Sequence, residues 1–189
     1  MKTSLLSLGS MVLISSVAFA QVATTNAPSS TMQQPTPGLA ATDSEFMKKL
    51  AQGGMAEVDA GRLATEKGSE ARVRNFAQQM VTDHAQNNEQ LRALAKSLDV
   101  ELPGPADPVH RIETTRLSSE EGSRFDADYI KAQVEDHEKV ARLLQSEIDS
   151  GQNSSVRQFA QKTLPVVKHH LEMAKQLQAG MPVASRGTE

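Results

Sequence analysis

Residues 73–98 read VRNFAQQMVTDHAQNNEQLRALAKSL, and this stretch decides the fold. Val73, Ala77, Met80, His84, Asn87, Leu91, Leu94 and Leu98 recur at three- and four-residue spacings, the period of one face of an α-helix. The intervening positions are polar, so the helix is amphipathic, and it must stop before Pro103. Three further stripes share this period. Phe46, Leu50, Gly53, Glu57, Ala60 and Ala64 predict a helix over Asp43–Lys67, opened by a capping box at Thr42–Glu45. Ile130, Val134, His137, Ala141, Leu144 and Ile148 predict one from Ser123 to Gly151. Val156, Ala160, Thr163, Val167, His170, Ala174 and Leu177 predict the last, ending at Gly180. Four such helices make an all-α four-helix bundle.

The joins set its topology. Lys67-Gly68-Ser69 and Gly151-Gln152-Asn153 are too short for anything but antiparallel hairpins. Between the hairpins, residues 99–123 carry Pro103, Pro105 and Pro108. That length suffices to cross the whole bundle, the preferred reading; a short helix over Asp107–Leu117 with a local return is the other.

Composition narrows the chemistry. The 189 residues hold 20 Lys+Arg against 23 Asp+Glu, one Tyr, five Phe, no Trp and no Cys. No basic excess exists to neutralise phosphates, which argues against nucleic acid as a partner. The missing Cys excludes disulfides, thiolate metal sites and Cys nucleophiles. Lys2, the apolar run Leu5–Val17 and Ala18-Phe19-Ala20 form a signal peptide over residues 1–20 with an A-x-A cleavage site. Residues 21–42 lack charge and carry Pro28, Pro35 and Pro37, as a disordered linker does. The bundle domain then spans residues 43–180, with a flexible tail over 181–189. An exported protein without a transmembrane segment is expected, placed in the periplasm, with outer-membrane association or secretion as further destinations. Its polar outer faces suit a monomer or a dimer and name no protein partner.

Each stripe carries one polar residue near its middle: Glu57, His84, His137 and His170. Buried, all four need partners or a cation. Phe76-x4-Val81-x-Asp83-His84-x6-Leu91 returns as Tyr129-x4-Val134-x-Asp136-His137-x6-Leu144, so an Asp precedes a His twice. Such a carboxylate can fix the tautomer of a histidine on a neighbouring helix, as carboxylates behind metal ligands do. The candidate metal ligands are therefore Glu57, His84, His137 and His170, with Asp83, Asp136, His169 and Met80 as supporting or alternate residues and Met173 as a further sulfur. Imidazole and carboxylate without thiolate suit zinc, copper or iron. Pro165 should kink the fourth helix beside His169 and His170. His110 falls in the connection.

Gly54-Met55-Ala56-Glu57-Val58, Gly61-Arg62-Leu63-Ala64, Val73-Arg74-x-Phe76-Ala77 and Met80-Val81-x-Asp83-His84 resemble the exported bacterial domain-of-unknown-function 4142 family. Phe125-Asp126-x-x-Tyr129, Asp136-His137, Leu164-Pro165 and His170-Leu171 resemble its second half. The resemblance implies a ferritin-like bundle of the bacterial envelope with no settled activity. Di-iron oxidation asks for Glu-x-x-His on two helices, and Val81, Val134 and Val167 stand where those glutamates would be. This favours a metal-binding protein over an enzyme. The alternative is a non-catalytic envelope-stress scaffold in which Glu57, Asp83 and Asp136 pair with the histidines in a buried hydrogen-bond network.

Overall fold

A computed structural model describes residues 39–104 and 115–181. The proposed signal peptide, residues 21–38 of the linker, His110 and the tail beyond Met181 lie outside the described residues. Four long helices order the chain: α1 Ala41–Lys67, α2 Ala71–Ser97, α3 Gly122–Ser150 and α4 Ser154–Ala179. Residues 115–118 form a further helical stretch in the connection. No helix among the described residues is long and apolar enough to cross a membrane.

Each helix packs most closely on its hairpin partner; α1 also lies beside α3, and α2 beside α4. Two aspartates establish the directions. Asp43, at the start of α1, accepts the backbone N–H groups of Gln152 and Asn153 between α3 and α4 (3.1 and 2.6 Å). Asp126, at the start of α3, accepts those of Ser69 and Glu70 between α1 and α2 (both 2.9 Å). The α1 start, α2 end and α3–α4 turn therefore share one end of the bundle; the α1–α2 turn and α3 start share the other. The α2 end and the α3 start thus lie at opposite ends of the bundle, as ferritin-like topology requires. Leu98, Val100 and Leu102 pack into the first end and Leu117 into the second.

One local expectation is revised. The capping box at Thr42–Glu45 does not form: α1 starts two residues earlier, with Ala40 as a cap that lends no side chain. Asp43 is instead fully buried against the α3–α4 turn, where it meets two otherwise orphaned N–H groups. Helix α2 stops before Pro103 as expected; it ends at Ser97, with Asp99 beyond it in a left-handed conformation (φ 54°). Helix α4 continues through Pro165 without a break in the helix.

The structure also brings out a repeat that the α2–α3 echo hides. At a constant offset of 83 positions, Asp43, Phe46, Gly68, Val73, Arg74, Phe76 and Ala77 correspond to Asp126, Tyr129, Gly151, Val156, Arg157, Phe159 and Ala160. Their contacts correspond as well. Arg74 donates to the carbonyls of Gly68 and Ser69, and Arg157 to those of Gly151 and Gln152. A Cβ on Gly68 would stand 2.7 Å from the Ala64 carbonyl oxygen, and one on Gly151 2.6 Å from that of Glu147. The bundle is thus one hairpin design used twice, each hairpin's first helix clamping the other hairpin's turn.

Two apolar cores fill the ends. One gathers Phe46, Met47, Leu50, Leu91, Leu144, Val156, Phe159 and Leu164. The other gathers Val73, Phe76, Met80, Phe125, Tyr129 and Ile130. Every helix passes from one core to the other, and midway each carries its polar residue: Glu57, His84, His137 or His170.

Candidate metal centre

The three histidines converge. The ring centroids of His84 and His137 lie 5.6 Å apart, those of His84 and His170 5.4 Å, and those of His137 and His170 5.6 Å. One ring nitrogen from each lies within 4.8 Å of the other two, and all three side chains are buried. Three neutral imidazoles on Zn²⁺ at 2.0–2.1 Å would stand roughly 3.4 Å apart, so small ring movements close the set around an ion.

Neighbours decide which nitrogen each ring offers. His137 Nδ1 faces the Gln133 carbonyl at 2.9 Å; a carbonyl can only accept, so Nδ1 carries the proton and Nε2 the lone pair. His170 Nε2 faces the Asp83 carboxylate at 2.9 Å; Nε2 is the protonated nitrogen and Nδ1 holds the lone pair. These two lone-pair nitrogens, with Nε2 of His84, are buried and have no hydrogen-bond partner.

Electrostatics keep the rings neutral. Burial lowers the His84 pKa to about 3, helped by the adjacent His137 and His170. Burial lowers His137 to about 4, against the hydrogen bond to Gln133 and the charge of Asp136. Burial also lowers His170, with Asp83 opposing the shift. Neutral imidazole is the form that binds metals, and no proton competes for these nitrogens near pH 7.

The remaining candidates stand around this set. Glu57 accepts a hydrogen bond from the Gln133 amide at 2.7 Å, and its other oxygen lies 3.7 Å from His137 Nδ1, the protonated side of that ring. Asp83 supports His170 across the α2–α4 contact. Asp136, its counterpart in the echo, pairs instead with Lys139 on its own helix at 2.8 Å. His169 is exposed, its ring 6.4 Å from that of His170. Met80 is fully buried in the Phe76–Tyr129 core, and Met173 packs against the same cluster.

Two residues escaped the sequence reading. Gln133 is buried and ties His137 to Glu57 through its carbonyl and its amide. Tyr129 is fully buried, its hydroxyl has no hydrogen-bond partner, and burial with the charge of Glu57 raises its pKa. Tyr129, Gln133 and His137 follow at four-residue steps on one face of α3, a spacing legible in advance. Beside the cluster is a cavity of about 380 Å³, lined among others by Glu57, His84, His170, Tyr129 and Gln133.

The model of a domain of unknown function, DUF4142, matches residues 28–177. No curated protein matches the chain. Among solved structures, a DUF305 fragment from Deinococcus radiodurans superposes with a TM-score of 0.68 at 13% identity, over 76% of this chain and 99% of that one. A DUF305 protein from Streptomyces coelicolor, described as a candidate secreted protein, gives 0.62 at 13% identity over 73% and 92%. A conserved hypothetical protein from Mycobacterium tuberculosis gives 0.62 at 13% over 78% and 97%. At these identities the likeness is one of fold.

Proposed function

This chain belongs to the DUF4142 family, and we propose that it is an exported protein holding one divalent transition metal at His84, His137 and His170. The observation that carries this reading is the trio of buried ring nitrogens without hydrogen-bond partners, two of them fixed as lone-pair nitrogens. A buried acceptor without a donor costs free energy, and two of these nitrogens are made acceptors by bonds on the far side of their rings. A cation satisfies all three at once. Glu57 stays outside the ligand set and supplies negative charge close to it. Three nitrogens without sulfur accept zinc, copper(II) or iron(II).

The competing hydrogen-bond network has support in the His170–Asp83 and Gln133–Glu57 bonds. It leaves the three inner nitrogens unsatisfied, which is why the metal reading is preferred. Export rests on the signal sequence, and cleavage after Ala20 would give a mature chain beginning at Gln21.

The decisive experiment is elemental analysis of untagged protein purified from the periplasm, beside a His84→Ala/His137→Ala variant. Near-stoichiometric metal in the first and none in the second is the expected result. Protein that stays empty when offered zinc, copper and iron would overturn the assignment and leave the network.

A further inference from the structure

We propose that the metal at this site keeps an open coordination position toward the cavity, and that a small organic carboxylate with an apolar body takes it. This rests on the metal reading and adds a ligand to it.

Three protein nitrogens leave a divalent ion short of its usual four ligands, and sites of this kind bind exogenous molecules where closed four-ligand sites do not. The cavity supplies the room. At about 380 Å³ it exceeds what a few waters need and lies within the range of small-molecule pockets. His84 and His170 form part of its wall, so the ion they hold would face it. A Cβ built on Gly53, another lining residue, meets nothing within 4 Å.

The lining selects the ligand. Leu50, Leu117, Val140 and Val167 present an apolar surface to the body of a guest. Imidazole binds a metal in its neutral form, so the three ligands cancel none of the ion's dipositive charge and the nearby Glu57 carboxylate offsets it only in part, which favours an anionic donor. The carboxylates nearest the histidines are already engaged, Asp83 by His170, Asp136 by Lys139 and Glu57 by Gln133. A carboxylate that gives one oxygen to the metal needs a hydrogen-bond donor for the other, and Tyr129, one of the residues around the same cavity, holds a buried hydroxyl without a partner. Lys162 also lines it and favours the approach of anions, while Lys49 and Lys139, also in the lining, are paired with Glu45 and Asp136.

The test uses full-length protein loaded with Co²⁺, whose visible bands report changes in coordination, titrated with azide, acetate and benzoate. Azide and benzoate should both shift the bands, with benzoate binding at least tenfold more tightly than acetate. Tyr129→Phe should keep cobalt and weaken benzoate about tenfold, the loss of one hydrogen bond to a charged group. Gly53→Leu, placed in open space, should keep cobalt and azide binding while losing benzoate. Cobalt bound with bands unmoved by any of the three anions would overturn the open position and leave the metal site standing. Azide binding without benzoate binding would overturn the carboxylate assignment. Failure to take up cobalt would remove the metal reading itself, and this proposal with it.

Discussion

His170 Nε2 donates to the Asp83 carboxylate at 2.9 Å across the α2–α4 contact, and this bond directs the His170 Nδ1 lone pair into the centre of the bundle. Asp83 thus acts on the site through the tautomer of a residue on another helix. Asp83→Ala should lower metal affinity roughly 10- to 100-fold, the usual effect of losing the group behind a metal-bound histidine. Asp83→Asn has a sharper outcome. Its amide can donate to Nε2 and move the ring proton to Nδ1, so it should bind metal no better than Asp83→Ala despite its near-identical size. Zinc titration against a competing chelator measures both; wild-type affinity in Asp83→Asn would show that the carboxylate does not set the tautomer.

Metal-free protein should lose stability on acidification. The folded-state pKa values of His84 and His137 are lowered to about 3 and about 4, and that of His170 is lowered too, so the unfolded chain takes up protons first. The stability these rings contribute is present above pH 6.5 and declines as pH falls below it. Denaturant unfolding in EDTA should show a loss of roughly 2 kcal/mol between pH 7 and pH 5.5, after allowance for an opposing group described next. A flat profile would mean the rings protonate as easily when folded.

Glu147 has the opposite sign. It is buried among Asp43 and Arg157, its Oε1 lacks a hydrogen-bond partner, and burial with the charge of Asp43 raises its pKa to about 7. Its folded-state pKa lies above the unfolded value, so its ionisation costs stability as pH rises from about 4.5 to 7. Glu147→Gln should therefore stabilise the protein at pH 8, by on the order of 2 kcal/mol, and make no difference below pH 4.5. In the same variant the acid destabilisation attributed to the histidines should steepen. Equal stability of the two proteins at pH 8 would contradict the assignment.

Two glycines of α1 make a contrast. A Cβ on Gly61 would meet Val81 Cγ2 at 2.8 Å and the Ala77 carbonyl oxygen at 3.2 Å, both on α2. Gly61→Ala should destabilise by about 1–3 kcal/mol despite the better helix propensity of Ala. Gly53→Ala, facing open space, should stabilise by about 0.5–1 kcal/mol. Thermal melts of the pair decide this, and melting shifts of the same sign in both variants would refute it.

Removing either clamp should cost more. Asp43→Ala and Asp126→Ala each orphan two backbone N–H groups at a partly buried turn, and each should lose about 2–4 kcal/mol. The losses should be similar because the two clamps are built alike; a loss confined to one of them would break the equivalence.

Helical period made the bundle legible, and the polar residue in each stripe pointed to the layer between the cores, since hydrophobic spacing is a local property. Asp43 and Gln133 were not so readable. Asp43 looked like part of a cap on its own helix, and its actual partners lie more than a hundred residues away. Gln133 falls beside the stripe drawn through Val134, yet it is the more deeply buried of the two because α3 is turned to bring it onto Glu57. The Asp83/Asp136 echo suggested equal roles, but only Asp83 lies opposite a histidine. The repeat at 83 positions was in the sequence throughout, masked by the more conspicuous Asp-His pair.

That repeat bears on how a three-histidine site can exist in such a bundle. A bundle made of two identical hairpins about a twofold axis would present every off-axis side chain twice, and hence an even number of histidines. Here the partners of His84, His137, His170 and Glu57 across the repeat are Val167, Gly54, Asn87 and Val140. The long connection joins the halves in one chain, which frees each to differ from the other. An odd-numbered coordination set is open to this covalent pair and closed to a symmetric dimer of either half.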